Sequence, residues 1–589
     1  MRPSLHPLRS APAGLLWLLA MRAFAQDASA PEAVPSAAPV ETEPRGAKTP
    51  GAEPPPADPP ASTQPAPSQL SIANAELERR GATIRAINII VDNVFDPEGN
   101  PEEDKALYRF ANRVHIRSRP EVIETALLFK TGDRYEGRVL DESARALRAR
   151  GFLADVRIVY RTYDAASNSV DVEVRVRDAW SLSLNAKLSH SGGKTEWGIG
   201  LDEDNFLGHG KEVNFSYKST IDRDETLLGY RDDNVLNTRV RLGAVFANAS
   251  DGYRRELFSE RPFYSLDARW MTGGQWLDQR RVDTMYDLGQ EIDEYRHDIH
   301  DLTIRGGVSR GIVDSRTRRW FFGVSSEEDT FVPTELKPQP LLLPPDRKLV
   351  YPWVGWQLVA DDFREMTELN DMGRTEDVAL GINLFASIGF AQKSFGSDRD
   401  ATLLRATVTR GWEPGEPGNL FQLGAGTSTR YEHDGFKNSV TELDARYYRR
   451  NSDTRLLSVS LSAIATHELD PDTQVLLGGD NGLRGYPIRY QAGENRALFT
   501  VEQRFYTDFY PWRLFRFGYA AFFDAGRVTG HDPRASAPLG TLYDVGFGLR
   551  LTSPRASRGQ ILHIDLAFPI NAPPNIDSVQ LIVETKGTF

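Results

Sequence analysis

Polar and apolar residues follow two rhythms along this chain. Up to about residue 180 the rhythm is mixed. Residues 84–91 and 156–160 read as strands. Val170, Val172, Val174 and Val176 alternate with Asp171, Glu173, Arg175 and Arg177, the period-two pattern of a half-buried strand. An acidic, turn-rich stretch carries Asp96-Pro97 and Gly99-Asn100-Pro101. Pro120 suits a first helical turn, and Val122, Ile123, Ala126 and Leu127 follow at helical spacing. Residues 141–150 predict a second helix, with Leu140, Ala144 and Leu147 on one face and Gly151 as its stop. The expected order over residues 82–180 is β-α-α-β-β, an α+β unit. An exposed edge of so small a sheet is free to accept an extended peptide.

From residue 181 to 589 no long helical pattern occurs. Leu457, Val459, Leu461 and Ala463 alternate with serines. Phe515, Phe517, Tyr519, Ala521 and Phe523 alternate with Arg516, Gly518, Ala520, Phe522 and Asp524, so the polar face also carries Phe522. Apolar-out, polar-in alternation is the signature of a transmembrane antiparallel β-barrel. Residues 251–255, 297–301 and 398–400 are charge runs that read as loops. At about 26 residues per strand with its turn, the segment predicts sixteen strands, with fourteen or eighteen also compatible.

Composition narrows the classes. The 589 residues hold no cysteine, which excludes a disulfide framework, cysteine-based zinc sites, a thiol nucleophile and a lipidated cysteine. The net charge of −12 argues against a nucleic-acid binder. No apolar run approaches the ~20 residues of a membrane helix. Arg2 and Arg9, the apolar run 13–21 and Ala23-Phe24-Ala25 make residues 1–25 a signal peptide. Residues 26–81 follow as a Pro/Ala-rich linker; twelve of the 36 prolines lie between Pro31 and Pro67, too little apolar content to order the segment.

The unit at 82–180 resembles a single POTRA domain. The likeness rests on its element order, on Phe129-Lys130-Thr131-Gly132-Asp133-Arg134-Tyr135 between the helices, and on Gly151-Phe152 at the second helix's exit. The best-known members carry several such domains. The glycine-rich run Gly478-Gly479-Asp480-Asn481-Gly482-Leu483-Arg484-Gly485-Tyr486 resembles the Arg-Gly-Tyr/Phe motif of the BamA/TamA superfamily of outer-membrane assembly and secretion proteins. The resemblance implies that Arg484, Gly485 and Tyr486 lie on a loop folded into the barrel, where Arg484 meets acids on the inner wall. The matching acids are Glu502 and Asp524. Alternation agrees independently, since Glu502 lies opposite Val501 and Phe505, and Asp524 opposite Phe523. A guanidinium fork suits two carboxylates at once. Asn205-Phe206-Leu207-Gly208-His209-Gly210 resembles an early-strand segment of the same family, and Phe589 closing an alternating strand resembles the C-terminal recognition tag of outer-membrane barrels.

These likenesses imply an assembly or insertion factor in the bacterial outer membrane, its N-terminal domain in the periplasm. It would capture extended clients by strand addition and insert them through a seam between the first strand, near residues 181–190, and the last, 579–589. Implied partners are unfolded outer-membrane or secreted proteins and the lipid bilayer, with room for accessory periplasmic proteins. No cofactor, metal, nucleic acid or enzymatic activity is implied. Two other classes stay open: a two-partner-type exporter of one dedicated protein, and a passive pore.

Three further strings invite chemistry. Gly307-Val308-Ser309-Arg310-Gly311 fits a hydrolase elbow, but lies between apparent strands rather than in a strand-turn-helix setting. Gly192-Gly193-Lys194-Thr195 lacks the leading glycine of a phosphate loop and reads as a hairpin turn. His297-Asp298-Ile299-His300-Asp301 has its histidines three apart, on opposite faces of a strand.

Overall fold

The computed structural model describes residues 73–191, 193–557 and 560–586. The signal peptide, residues 26–72 of the linker and Phe589 lie outside the described residues.

The N-terminal unit contains helix α1 (Asn74–Arg79), strand β1 (Thr83–Asp92), helices α2 (Ala106–Val114), α3 (Pro120–Glu124) and α4 (Gly137–Arg148), and strands β2 (Leu153–Asp164) and β3 (Ser169–Asp178). The sheet order is β1-β3-β2, with β1 parallel and β2 antiparallel to β3. The valines of β3 are each no more than 1% exposed and pack with Ile84, Ile123, Leu127, Leu140 and Leu147. The alternate residues of β3 face water and pair across the sheet, Asp171 with Arg85 and Arg175 with Asp92. Pro120 opens α3, and Gly132, with φ +91°, makes the turn between the last two helices.

The expected β-α-α-β-β order is present, with two helices added. One lies inside the stretch expected as linker, so the unit begins before residue 82. Its single buried residue, Leu77, fills the core without any apolar periodicity to announce it. The other is α2, whose buried residue is Tyr108 while Leu107, Phe110 and Val114 stand exposed.

The remaining chain forms one antiparallel meander of twenty strands among the described residues, from Leu182–Ser191 to Gln580–Lys586. This corrects the expected sixteen. Most turns are tight, so a strand with its turn takes about twenty residues rather than 26. Two charge runs expected as loops also belong to strands. Residues 252–255 open the strand Gly252–Arg261, and residues 297–301 lie within Gln290–Val313. Residues 398–400 are a loop, as expected. Lys194–Glu203 follows Leu182–Ser191 as a tight hairpin, and the Ser309 string lies in a bulged strand.

Trp270, Trp276, Leu302, Ile304, Trp320 and Phe322 are exposed on the outer face, the belt that lipid covers. About 9–11 residues cross a bilayer. The 24-residue strand Gln290–Val313 therefore projects beyond the belt on the side away from the N-terminal unit. There His297 is buried between Asp283 and Asp329, at 2.8 and 2.9 Å, and its ring stacks on Phe331. The cluster is a charge bracket inside the wall, because its charged residues face inward on alternate positions.

Candidate functional site

The loop between strands Arg455–His467 and Asn495–Tyr506 folds into the lumen. The short pairing of Val475–Leu477 with Gln491–Gly493 holds its base, and Leu477, Leu483, Tyr486 and Tyr490 pack against Val528 and Leu542 of the wall. This apolar packing brings Arg484 to the inner wall.

Arg484 sits there with its fork facing the wall acids. Its Nε and Nη2 donate to the two oxygens of Asp524 at 2.7 and 3.0 Å. Its Nη1 donates to Glu502 at 3.1 Å and to Asp565 at 3.4 Å. The guanidinium carbon lies 3.3 Å from the ring centroid of Phe522, the one aromatic on the inward phase of its strand. The loop arginine and both sequence-predicted acids are therefore brought together, all buried.

The neighbours of the predicted residues complete the arrangement. The Gly485 N–H donates to Asp544 at 2.8 Å, and a Cβ on Gly485 would stand 2.5 Å from that of Asp544, so only glycine allows this approach. The Tyr486 hydroxyl donates to the carbonyl of Ile570 at 3.4 Å. Arg504 donates to the second oxygen of Glu502 at 3.0 Å, Thr500 to Asp524 at 2.7 Å, and Arg550 pairs with Asp565. Asp544, Asp565 and Arg550 were not singled out in the sequence. The signal existed: each lies on the inward phase of its strand, opposite Val545, Leu566 and Leu549.

Five residues beyond Arg484 the same loop reaches the turn between strands Lys211–Ser219 and Asp224–Val235, across the junction of the first and last strands. Arg489 makes a two-pronged bond to Asp222, at 2.8 and 2.9 Å, and lies over the ring of Tyr286. The loop is thus bonded on both sides of that junction. A cavity of about 400 Å³ remains beside it, lined by residues that include Arg319, Tyr351 and Arg405.

A second insertion enters from the side of the N-terminal unit. Residues 361–382 interrupt the wall, and within them Phe363–Thr367 pairs with Thr375–Ala379 as a hairpin. Its Leu369, Met372 and Val378 pack on Tyr448, Leu456 and Tyr506 at the strand ends. Arg504 donates to the carbonyl of Leu369 at 2.6 Å, which joins this hairpin to the Glu502 cluster. From α4, Arg148 binds Asp377 at 2.6 Å and Glu365 at 2.7 Å.

The unit docks on the barrel turns beneath the lumen. Asn205 donates to Ser118 at 2.9 Å, and Arg119 N–H to the Gly208 carbonyl at 3.0 Å. A Cβ on Gly208 would meet the Arg117 carbonyl at 2.4 Å, which accounts for this glycine in the Asn-Phe-Leu-Gly-His-Gly segment. Arg239 donates to the carbonyls ending α3, Leu266 N–H to Glu142, and Arg555 binds Glu103.

The wall closes weakly at one place. The last strand pairs continuously with Ile561–Ile570, from Ile561 opposite Lys586 to Ala567 opposite Gln580. Among the described residues its other edge pairs with the first strand at one position, Val583 opposite His190.

Residues 438–585 match the Omp85 superfamily domain. Over these residues the chain is similar to that family. The match contains the lumen loop and every member of the Arg484 cluster, and it bears out the resemblance to the BamA/TamA superfamily. An Omp85 domain goes with protein insertion or secretion at the bacterial outer membrane. Among solved structures, the chain is similar to BamA from Haemophilus ducreyi lacking POTRA domains 1–3, at 12% identity over 85% of both chains and a TM-score of 0.38. It is also similar to CdiB from Acinetobacter baumannii, at 13% identity over 86% of this chain and 73% of that one, with a TM-score of 0.40. CdiB from Escherichia coli gives 13% identity over 86% and 90%, with a TM-score of 0.36. No curated protein matches the chain.

Proposed function

We propose that this chain inserts extended client proteins into the outer membrane through the seam between its first and last strands. The N-terminal unit would act as a single POTRA-like periplasmic module, its outer β2 edge receiving the client. The single rung at Val583 and His190 carries the proposal. Among the described residues, opening there breaks far less backbone pairing than opening between any other two wall strands, and it bares two edges for strand addition. The Arg484 cluster lies on the inner wall beside this seam, on strands 495–506, 516–529, 541–552 and 561–570. It would hold the loop in place until the wall rearranges. Every step is an exchange of hydrogen bonds and buried surface, so nucleotide, metal and covalent chemistry have no part in it. Loop and hairpin both occupy the lumen, which speaks against a passive pore.

The test is a cross-link. Paired antiparallel residues bring their Cα atoms within disulfide range, and the chain has no other cysteine. The double variant His190→Cys/Val583→Cys, oxidised in liposomes, is expected to fold an unfolded barrel client no faster than empty liposomes do. A reductant restores the wild-type rate. Full acceleration with the seam locked would overturn the lateral route and leave export of a dedicated protein as the better reading.

A further inference from the structure

Helix α2 is amphipathic the wrong way round for a soluble domain. Tyr108 faces inward on Phe95 and Val94, with Trp180 and Leu514 at the edge. The opposite face presents Leu107, Phe110 and Val114, each 50–60% exposed, and Ile116 follows at 54%.

This face is continuous with the lipid-covered belt of the barrel. The Tyr108 hydroxyl donates to the carbonyl of Trp512 at 2.5 Å, so α2 hangs from the turn between strands Asn495–Tyr506 and Arg516–Thr529. On that turn Trp512 is 67% and Phe509 63% exposed. Phe509 lies 5.4 Å from the ring of Phe517, on the outward phase of its strand with the exposed Tyr519. At the other end Ile116 adjoins Gly208, where Phe206 and Leu207 stand exposed below Trp197, Ile199 and Leu201. The apolar crescent thus runs under the foot of the seam and joins the belt on both sides of it.

Charge accompanies it. Lys105, Arg109, Arg113, Arg117 and Arg119 are all exposed, and residues 105–119 hold no acid. Arg109 pairs with the exposed Asp104 at 3.1 Å. An exposed apolar stripe flanked by cations and a tryptophan, level with a lipid belt, is the composition of a membrane-interface helix. We propose that α2 and the turns beside it lie in the domain-side leaflet of the bilayer, held by anionic phospholipid headgroups, and anchor the N-terminal unit at the seam. This rests on the barrel spanning a membrane, not on the insertion reading.

The full-length chain tests it through single introduced cysteines. Phe110→Cys is placed on the stripe, and Arg157→Cys on the exposed face of the sheet serves as reference. Each carries a polarity-sensitive dye, in vesicles of phosphatidylcholine with or without phosphatidylglycerol. The dye at position 110 is expected to emit to the blue and be quenched by spin-labelled lipid, more strongly with phosphatidylglycerol; the dye at 157 does neither. Adding Arg109→Gln, Arg113→Gln and Arg117→Gln removes the gain from phosphatidylglycerol and leaves the heat-shifted mobility of the folded barrel unchanged. Equal quenching of both positions by aqueous iodide in both vesicles overturns the proposal. So does protection of position 110 only when client, or a second copy at high density, is added, for that makes the face a protein-docking surface.

Discussion

Arg484 cannot be exchanged for another cation without loss. Its fork meets two oxygens of Asp524 while its remaining edge meets Glu502 and Asp565, and its flat face rests on Phe522. Lysine would keep the charge but bring neither the fork nor the plane. Removing one member of a buried charge cluster costs about 3–5 kcal/mol, because the rest stay desolvated. Arg484→Ala is therefore expected to lower the urea midpoint of the folded barrel and expose the loop to protease, with Arg484→Lys intermediate. Wild-type unfolding and protection in Arg484→Ala would show that the loop is held elsewhere. Much of this cluster was legible in the sequence. The period-two phase put Glu502 and Asp524 inward before any coordinates, and the family motif named their partner. The same phase marks Asp544, Asp565 and Arg550, but nothing in one sequence says which inward acids share a height in the lumen. That depends on strand stagger. Phe522 looked like a flaw in its polar face, and its use emerged only with the guanidinium lying on it.

Among elements, strands and helices differed in how well they could be read. The valine strand β3 was unmistakable because one of its faces is wholly buried. Helix α2 was missed because its apolar stripe faces outward, so its spacing matched no core. The wall holds more strands than the expected sixteen because its turns are tight, and two charge runs that read as loops belong to strands. In this barrel the lumen is itself charged, and His297 and Asp301 face inward from a wall strand whose His300 faces outward. The hairpin within 361–382 carries a prediction at this scale. It fills the lumen mouth with Leu369, Met372 and Val378, and Arg148 fastens it to the N-terminal unit. Replacing residues 363–379 by a short Gly-Ser turn is expected to raise single-channel conductance in planar bilayers several-fold. Arg148→Ala should give brief openings of the same size. Conductance unchanged by the deletion would mean that the loop carrying Arg484 seals the lumen alone.

At the scale of the whole molecule, the unit and the barrel form one docked body. Contacts from Asn205, Arg239, Leu266 and Arg555 lie on four separate barrel turns, so the unit is gripped around its rim rather than tethered at one hinge. Arg555→Glu, which faces the buried Glu103, combined with Arg239→Ala, is expected to free it. Hydrogen exchange should then rise across α2–α4 while the barrel strands keep their protection. Unaltered exchange in α2–α4 would place the grip in the remaining turns. None of these contacts could be read from sequence, because each joins positions about 90 to 450 residues apart through single polar groups that follow no periodicity.

The solitary rung at Val583 and His190 also bears on the perimeter of the barrel. A sheet closed by complete ladders has a circumference set by its number of strands, and changing it means tearing a ladder. Here, among the described residues, one residue pair joins the ladder at one joint of that circumference. A client hairpin entering that joint would add two strand widths, about 10 Å, to the ring. The loop bonded to Asp524 on one side of that joint and to Asp222, on the turn before strand Asp224–Val235, on the other is a chord of the same ring. A wider ring must lengthen that chord or release one end of it. The girth of the barrel and the hold on its loop are thus a single mechanical variable.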